Sequence, residues 1–392
     1  MQNNLNRRDW LRSAGLLSAG VAVAGLNTAE ANPLVGQAHP LAGNFTNEFG
    51  FFGPPDTMPK LRARLFANEN PLGISQKAKE ALVKATDIGN RYAWMEFKQL
   101  KTMIAADEGV TDKNIMCSPG SSDILLAAAA HYGKNGGTIL TCRPTYDDLL
   151  ERAENFGAKI VAVPLTDRFE YDLDAMKAKI TPDVKMVYIV NPNNPTGTIV
   201  DGAKLEAFCR EVAPKVPVFV DEAYIDFFAP AERPKLGKLV AEGLNVILAR
   251  TFSKIHGFAG LRLGYGIAPP DTLKALRQYT NGDFGVSITT LMAGIASYQD
   301  QEWQNYCRAE NAKAREFTAS ALKGMGYDVI PSRANFMLFP IKMKTKAFEN
   351  QMFGQGIGIQ TRDIDKQPYC RVSIGTMTEM EAFLDGFKKV VG

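Results

Sequence analysis

The sequence has few of the residues that would indicate a metal site or a disulfide framework. Only three histidines occur among its 392 residues, which argues against a histidine-rich metal site. Its cysteines are odd in number, scattered along the chain and without a CxxC pair, so they indicate neither paired disulfides nor bound zinc. We therefore predict no metal. The cysteines are Cys117, Cys142, Cys209, Cys307 and Cys370; the first two lie in apolar stretches, where core positions are expected.

Strong charge of one sign and internal repeats are also lacking. The 45 Lys and Arg against 42 Asp and Glu leave a formal net charge of +3. With no Lys/Arg-dense block in the body of the chain, this balance argues against nucleic acid and acidic membranes as partners. The hydrophobic fraction of 45% is typical of a soluble enzyme with a sizeable core. The length suits one large α/β domain and a smaller one.

The N-terminus has the three parts of a secretory signal. Arg7 and Arg8 precede Trp10, and an apolar run follows over residues 13–26. This run is shorter than the roughly 20 apolar residues that span a bilayer, and residues 29–31 form an A-x-A cleavage pattern. The adjacent arginines resemble a twin-arginine signal. The alternative is a basic N-terminal helix that stays attached.

The signal interpretation predicts export. Residues 1–31 would be removed, and the mature chain would begin near Asn32 and act in the periplasm without a membrane anchor. The twin-arginine route carries proteins that are already folded. Folding in a reducing cytoplasm also suits the unpaired cysteines.

Helical and strand-like segments alternate through the middle of the chain. This order predicts a doubly wound, mainly parallel sheet, with ligands beyond the carboxyl ends of its strands. We predict an N-terminal arm over residues 32–70, a large domain over 71–270 and a small α+β domain over 271–392. The predicted strands are 137–142, 159–164, 184–190, 216–220 and 244–249, and the predicted helices are 75–86, 94–106, 121–131, 147–156 and 201–212.

Short polar motifs follow several of these strands. Ser253 and Lys254 come after one strand, and Arg262 follows in a glycine-rich stretch. The motif around Asp221 and Tyr224 ends another strand. The further motifs, in chain order, are Ser118-Pro119-Gly120-Ser121-Ser122, Arg143-Pro144-Thr145-Tyr146 and Asn191-Pro192-Asn193-Asn194-Pro195-Thr196-Gly197. Taken singly, each has an ordinary structural explanation: a solvent-exposed lysine, a capped helix start or a turn.

Together and in this order, the motifs resemble those of the fold-type I pyridoxal-phosphate (PLP) enzymes, aminotransferase class I/II, and among them the histidinol-phosphate aminotransferase group. The resemblance covers residues 65–391. It implies that Lys254 forms the Schiff base with PLP and moves the proton between the substrate Cα and the cofactor C4′. It also implies that Asp221 pairs with the pyridine nitrogen, which keeps the ring an electron sink. The resemblance further implies that Tyr224 and Asn194 bind the 3-oxygen of PLP and that Tyr146 stacks on the face of its ring. The residues implied to bind the PLP phosphate are Ser121, Ser122, Ser253 and Arg262.

Further resembling positions lie outside the large domain. Tyr92 matches a tyrosine that reaches the neighbouring subunit's phosphate, which implies a homodimer with shared sites. The family usually follows this tyrosine with Pro and an acid, whereas residues 93–96 here read Ala-Trp-Met-Glu. Arg371 matches the arginine that grips the substrate α-carboxylate, where a planar guanidinium suits bidentate binding. The alternative for Arg371 is a surface ion pair. Arg362 is the candidate for a distal substrate anion, and Asn70 and Gly73 match an edge of the substrate site.

We predict transamination between an amino acid, or a related amine, and a 2-oxo acid. Decarboxylases, lyases and racemases share this constellation and remain alternatives, as does a PLP-binding protein without turnover. The resemblance suggests histidinol phosphate and 2-oxoglutarate as substrates. Histidine synthesis is cytoplasmic, however, and the predicted export favours another amine or amino acid, such as an exported metabolite or a cell-envelope compound.

Overall fold

A computed structural model describes residues 61–392 of the chain. The strands in this range are β1 (Ala63–Arg64), β2 (Ile115–Ser118), β3 (Thr138–Arg143), β4 (Lys159–Pro164), β5 (Val184–Val190), β6 (Val218–Asp221), β7 (Val246–Thr251), β8 (Gly264–Ile267), β9 (Phe336–Pro340), β10 (Ile357–Gly358), β11 (Gln360–Ile364) and β12 (Gln367–Ser373). The α-helices are α1 (Gln76–Ala85), α2 (Trp94–Glu108), α3 (Ser121–Gly133), α4 (Asp148–Asn155), α5 (Leu173–Ala178), α6 (Gly202–Val212), α7 (Gly237–Ala241), α8 (Pro270–Leu276), α9 (Ile288–Gln299), α10 (Gln301–Gly324), α11 (Thr345–Gly354) and α12 (Met377–Val391).

The central element is a seven-stranded sheet in the order β2-β8-β7-β6-β5-β3-β4. The five strands from β3 to β7 pair in parallel, which confirms the predicted fold class. Strand β8 runs antiparallel to both β7 and β2. The inner strands are apolar and buried on both faces, as in β5 with its sequence Val-Lys-Met-Val-Tyr-Ile-Val, because helices cover both sides of such a sheet.

Helices pack a hydrophobic core on each face of this sheet. Helix α3 buries Ala127, Ala128, Ala129 and Ala130 on one face, where small side chains let the helix approach the strands closely. Helices α1 and α9 pack together on the other face. Cys117 and Cys142 are fully buried there, which confirms their predicted core positions, and all five cysteines are buried free thiols.

A smaller antiparallel sheet, β11-β12-β9, lies in the C-terminal part of the chain. Its core is aromatic: Phe339, Phe348, Phe383 and Phe387 are all fully buried. Leu65 packs into the same core, and β1 pairs with β10 beside it. The last helix, α12, begins with a capping box in which Thr376 and Glu379 bond each other's backbone N–H groups.

The packing bears on the predicted division into domains. Leu273 and Leu291 belong to the cores of the large sheet, so the packing favours a boundary further along the chain than residue 270. Residues 63–65, predicted as part of the arm, pack with the small sheet. The predicted signal over residues 1–31, and the arm up to residue 60, lie outside the described residues.

Residues 61–392 contain neither a membrane-spanning helix nor a cluster of metal-ligating side chains. None of the helices in this range combines the length and the apolar character needed to cross a membrane. The same residues contain no group of three or more His, Cys, Asp or Glu side chains that could hold a metal ion.

Candidate active site

The candidate site lies where the central strands end. Strand β6 ends at Asp221, and β7 ends at Thr251, two residues before Ser253. Strand β5 ends at Val190 and leads directly into the turn that contains Asn194. Because β5, β6 and β7 are parallel neighbours, their carboxyl ends lie together at one edge of the sheet, where such folds bind ligands.

Lys254 and Tyr224 are in contact at this edge. The Lys254 Nζ lies 5.4 Å from the centroid of the Tyr224 ring, within the range of a cation–π contact. The lysine is half-buried and the tyrosine is buried. Phe336 packs edge-on against the tyrosine, with the ring centroids 5.0 Å apart. The amine is therefore held in a partly shielded site above an aromatic ring.

Asp221 is a buried acid close to Lys254. Burial raises the pKa of the Asp221 carboxyl group to about 7, although the hydrogen bond from the Ala223 N–H and the positive charge of Lys254 both act to lower it. The Ala223 N–H donates to Asp221 Oδ1 over 3.0 Å. A carboxylate in this position would gain from a cation placed beside it, because a nearby positive charge offsets the cost of burial.

Arg262 lies beside Ser253 and the start of helix α3. Its Nη1 donates to Ser253 Oγ over 3.2 Å and to the Ala259 carbonyl over 2.9 Å. The residue before the helix, Gly120, has φ +84°, and a Cβ there would lie 2.2 Å from Arg262 Nη2. Only glycine therefore fits, because this backbone conformation is unfavourable for other residues and the guanidinium fills the space. The result is a fixed positive charge against a helix N-terminus.

The two serines and Tyr146 lie around this end of the sheet. Ser121 and Ser122 form the first turn of α3, and Gly120 before them offers no side chain to cap the helix. Backbone N–H groups in the first turn of a helix favour an anion. Tyr146 is partly buried and packs against the core on the α3 side of the sheet.

Arg371 connects the small sheet to the turn after β5. Its Nη1 donates to Asn194 Oδ1 and its Nη2 to the Phe66 carbonyl, both over 2.8 Å. The guanidinium is almost fully buried, which rules out the surface ion pair considered as an alternative. In the antiparallel register, Gln360 faces Arg371 and Arg362 faces Tyr369. Because alternate residues of a strand share a face, Arg362 lies on the same face of the small sheet as Arg371.

Asn70 and Gly73 form a loop that packs against the lysine segment. Asn70 Nδ2 donates to the carbonyl of Ile255, the residue after Lys254, over 2.8 Å. Asn70 Oδ1 accepts from the Leu72 N–H. Gly73 has φ +77°, and a Cβ on Gly257 would lie 2.3 Å from the Gly73 carbonyl oxygen. Both residues therefore have local structural roles that the sequence did not predict. Their contacts with a substrate remain a prediction.

Tyr92 does not join the other site residues within one chain. Its side chain is 79% exposed, and its nearest aromatic neighbour is Trp94, with the ring centroids 6.2 Å apart. Trp94 in turn contacts Phe284 edge-on, with a centroid distance of 4.9 Å.

Glu222, next to Asp221, takes part in a separate buried ion network. Its Oε2 accepts from Arg250 Nε over 2.8 Å, and Arg250 also donates to Glu108. Successive residues of a strand point to opposite faces, which explains why two adjacent acids have different partners. Here Glu222 supports the ends of β6 and β7, and Asp221 faces the candidate site.

Two residues of the site were missed by sequence reasoning. Asn68 Nδ2 donates to the Tyr224 hydroxyl over 3.0 Å, and Ser373 Oγ donates to Asn68 Oδ1 over 2.8 Å. Asn68 lies in the same segment as Asn70, but nothing local distinguishes the two asparagines. Buried polar contacts over such chain separations become visible only in the folded molecule.

These residues suit PLP, which offers an aldehyde, a ring nitrogen that can carry a proton, an anionic 3-oxygen and a phosphate. Lys254 supplies an amine for the aldehyde, and the buried Asp221 carboxyl suits a cationic nitrogen. Tyr224 supplies a hydroxyl for the 3-oxygen. The Arg262 guanidinium, held against Gly120 and the α3 terminus, suits a phosphate.

Comparison with known proteins agrees with this chemistry. Residues 63–387 match the family aminotransferase class I and II. The histidinol-phosphate aminotransferase of Moorella thermoacetica is 35% identical over 330 residues, covering 84% of this chain and 85% of that protein. The aromatic amino acid aminotransferase of Mycolicibacterium smegmatis is 33% identical over 336 residues, covering 85% and 91%.

A solved structure extends the likeness to the cofactor. The histidinol-phosphate aminotransferase of Sinorhizobium meliloti, in complex with pyridoxal-5′-phosphate, superposes with a TM-score of 0.78 at 26% identity. The match covers 89% of this chain and 97% of that one. The chain therefore belongs to the class I and II aminotransferases and is a PLP-dependent transaminase.

Proposed function

We propose that this aminotransferase holds PLP through Lys254 and exchanges amino groups between an amino acid and a 2-oxo acid in a site shared by two subunits. The observation that carries the assignment is the placement of the Lys254 amine 5.4 Å over the Tyr224 ring, beside the buried Asp221. When bound, the cofactor supplies an electron sink for the substrate Cα. The protein residues bind, orient and move protons around it.

Each part of the site has a separate task in this proposal. Asp221 keeps a proton on the ring nitrogen by remaining ionised next to it. Arg262, Ser253 and the first turn of α3 hold the phosphate and so fix the position of the ring. When it is not bound to the cofactor, the Lys254 Nζ would be the base that takes the proton from the substrate Cα. The surrounding aromatic rings partly shield this amine from water.

Two arginines on one face of the small sheet define the substrate end. Arg371 is buried and anchored by Asn194 and the Phe66 carbonyl, so its planar guanidinium is preoriented for an α-carboxylate. Arg362, on the same face of the sheet, would contact an anionic group further along the substrate. The names of the two relatives described above refer to histidinol phosphate and to aromatic amino acids. We favour an amino acid donor with a second polar or anionic end.

Variants of Lys254 test the assignment. Lys254→Ala should retain PLP by affinity but lack the visible absorbance band of the lysine-bound cofactor, and should lose transamination by several orders of magnitude. Lys254→Arg keeps the charge but cannot form the covalent bond, so it controls for electrostatics. Substantial residual turnover in both variants would rule out Lys254 as the attachment site.

A panel of amino donors tests the substrate. Addition of a true donor to the purified protein should convert the visible band, and a 2-oxo acid should restore it. For a donor with a distal anion, Arg362→Gln should raise KM more than it lowers kcat, because the contact is made in both the ground and the transition state. An equal effect on donors that lack the distal anion would contradict the role of Arg362.

A homodimer is supported by an exposed apolar surface. Tyr92, Trp94, Met95 and Phe284, here called the aromatic patch, are between 60% and 79% exposed. Contiguous apolar surface of this kind marks an interaction site. In the proposed dimer, the patch is buried against a second copy of the chain, and Tyr92 contributes to the partner's phosphate site.

Export by the twin-arginine route is the remaining part of the proposal. It rests on the Arg7-Arg8 pair and the apolar run at residues 13–26, and it would place the mature enzyme in the periplasm. Replacement of both arginines by lysine should leave the protein in the cytoplasm with its N-terminus uncleaved, in cell fractionation followed by mass spectrometry. Intact residues 1–31 on wild-type protein in the cytosol would refute the export.

A further inference from the structure

Asn68 lies between a cofactor-site tyrosine and a strand of the small sheet. Its Nδ2 donates to the Tyr224 hydroxyl over 3.0 Å. Its backbone N–H donates to Ser373 Oγ, and its Oδ1 accepts from the same hydroxyl, both over 2.8 Å. All three residues are less than 5% exposed, so water does not compete for these bonds.

Ser373 determines the direction of the hydrogen bonds that link it through Asn68 to Tyr224. Because Ser373 Oγ accepts the Asn68 backbone N–H, its own hydrogen is available for Asn68 Oδ1. That bond orients the amide, and the Nδ2 end then faces Tyr224. An amide NH₂ group can only donate. The phenol oxygen must therefore accept, and the hydrogen of the Tyr224 hydroxyl is directed elsewhere.

The backbone around Asn68 is also held. Asn68 has φ +51°, a conformation that asparagine tolerates better than most residues. Asn335 Nδ2 donates to the Asn68 carbonyl over 3.0 Å. The charged groups near the phenol are the Lys254 amine over its ring, Arg371 behind Phe336, at 5.7 Å from that ring's centroid, and Asp221 at the end of β6.

We propose that Asn68, oriented by Ser373, is a positioning residue that makes the Tyr224 hydroxyl an obligate donor to the 3-oxygen of the bound cofactor. This inference rests on the proposed function, in which Tyr224 faces PLP. Ser373 lies two residues after Arg371 on β12. The chain of hydrogen bonds therefore connects the strand that carries the proposed substrate arginine to the cofactor oxygen.

The proposal predicts a shift in a spectroscopic titration. A donor to the 3-oxygen stabilises the form in which that oxygen is negatively charged, so its loss raises the pH midpoint at which the visible cofactor band changes. In the full-length protein loaded with PLP, Asn68→Ala should raise the midpoint by about one unit, the effect of one hydrogen bond to a charged group. Tyr224→Phe removes the donor outright and should raise the midpoint at least as far, and the double variant should be no different from Tyr224→Phe alone.

A second substitution reverses the polarity of the contact without changing its size. Asn68→Asp offers the phenol an acceptor in place of a donor, which would draw the Tyr224 hydrogen away from the cofactor. Its midpoint should rise at least as far as that of Tyr224→Phe, because the carboxylate also adds a negative charge near the cofactor. Ser373→Ala leaves the Asn68 amide free to turn, so it should raise the midpoint by a smaller amount. This variant replaces Asn68→Ala as the test if Asn68→Ala does not fold. Asn335→Ala removes a bond to the Asn68 carbonyl but leaves the amide, so it should lower stability without moving the midpoint.

The outcomes separate the inference from the function on which it rests. Midpoints of wild-type value in Asn68→Asp and Ser373→Ala, beside a raised midpoint in Tyr224→Phe, would overturn the role of Asn68 and leave that of Tyr224 intact. A shift from Asn68→Ala that persists in the Tyr224→Phe background, or an equal shift from Asn335→Ala, would also overturn it. A Tyr224→Phe midpoint equal to wild type would overturn the tyrosine assignment itself.

Discussion

Burial of the Asp221 carboxylate destabilises the fold when no cation lies beside it, and a cationic partner offsets this cost. In the cofactor-free protein the carboxyl pKa of Asp221 is raised to about 7 by burial, so the folded state binds this proton more tightly than the unfolded state. The contribution of Asp221 to stability therefore becomes unfavourable as the pH rises from about 4, and the full penalty is present above about 7. A protonated ring nitrogen beside the carboxylate would remove that penalty.

Asp221→Asn should thus stabilise the cofactor-free protein at high pH and weaken cofactor binding. In urea unfolding at about pH 8, the free energy of unfolding of the variant should exceed that of wild type by on the order of 4 kcal/mol, and the difference should disappear near pH 4. PLP titration of the same variant should show a higher Kd, because the neutral amide no longer pairs with the ring nitrogen. A stability difference that is the same at both pH values would show that the carboxyl charge is not its cause.

At the residue scale, the predictions made from the sequence all depend on local signals. Asp221 and Tyr224 belong to one motif at a strand end, and the structure brings both to the same edge of the sheet. Asn68 was missed because its partners, Tyr224 and Ser373, lie 156 and 305 positions away along the chain. No periodicity or spacing encodes such a contact, since it depends on how the small sheet packs against the large one.

Among the strands, too, those with a local sequence signal were predicted and those without one were not. Strands β4 and β5 occupy the residues that the sequence predicts, 159–164 and 184–190, because β-branched runs between turns are distinctive. Strands β2 and β8 were not predicted. Strand β8 reads Gly-Tyr-Gly-Ile, and its first glycine is needed because a Cβ on Gly264 would lie 2.4 Å from the Ser121 nitrogen. Close packing against α3 therefore removed the local strand signal.

At the start of α3, Gly120→Ala should damage the phosphate site more than the fold. An alanine at φ +84° costs about 1–2 kcal/mol in backbone energy. Its Cβ would also lie 2.2 Å from Arg262 Nη2, so the guanidinium must move away from Ser253. We expect a loss of PLP affinity of at least about tenfold, which corresponds to one displaced charge-assisted contact, measured by fluorescence titration.

Gly243→Ala is the matched control for this prediction. Gly243 has φ +85°, but a Cβ there meets no atom within 4 Å. Both variants should therefore lose similar backbone stability in urea unfolding, and only Gly120→Ala should lose cofactor affinity. If the two variants bound PLP equally well, the placement of Arg262 against Gly120 would have no role in binding.

At the scale of the whole molecule, the aromatic patch is a feature of residues 61–392 that a single chain does not explain. Trp94 starts α2 and Phe284 lies in a turn before α9, yet their rings are in edge contact and both are mostly exposed. In the sequence, Tyr92 is associated with a dimer only through resemblance to the family. The clustering of Tyr92, Trp94 and Phe284 could not be predicted, because it joins segments about 190 positions apart that become neighbours only when α2 and the turn fold against each other.

Phe284→Glu should convert the proposed dimer to a monomer and weaken cofactor binding with it. A carboxylate within the aromatic patch would be buried unpaired on association, at a cost of several kcal/mol. Sedimentation velocity should show the monomer at concentrations where wild type is a dimer, and PLP should dissociate faster because the partner's Tyr92 is lost. Phe156→Glu places the same charge on an aromatic residue that is 44% exposed and outside the patch, and should leave both properties unchanged. A dimeric Phe284→Glu protein would place the subunit interface elsewhere and remove Tyr92 from the shared site.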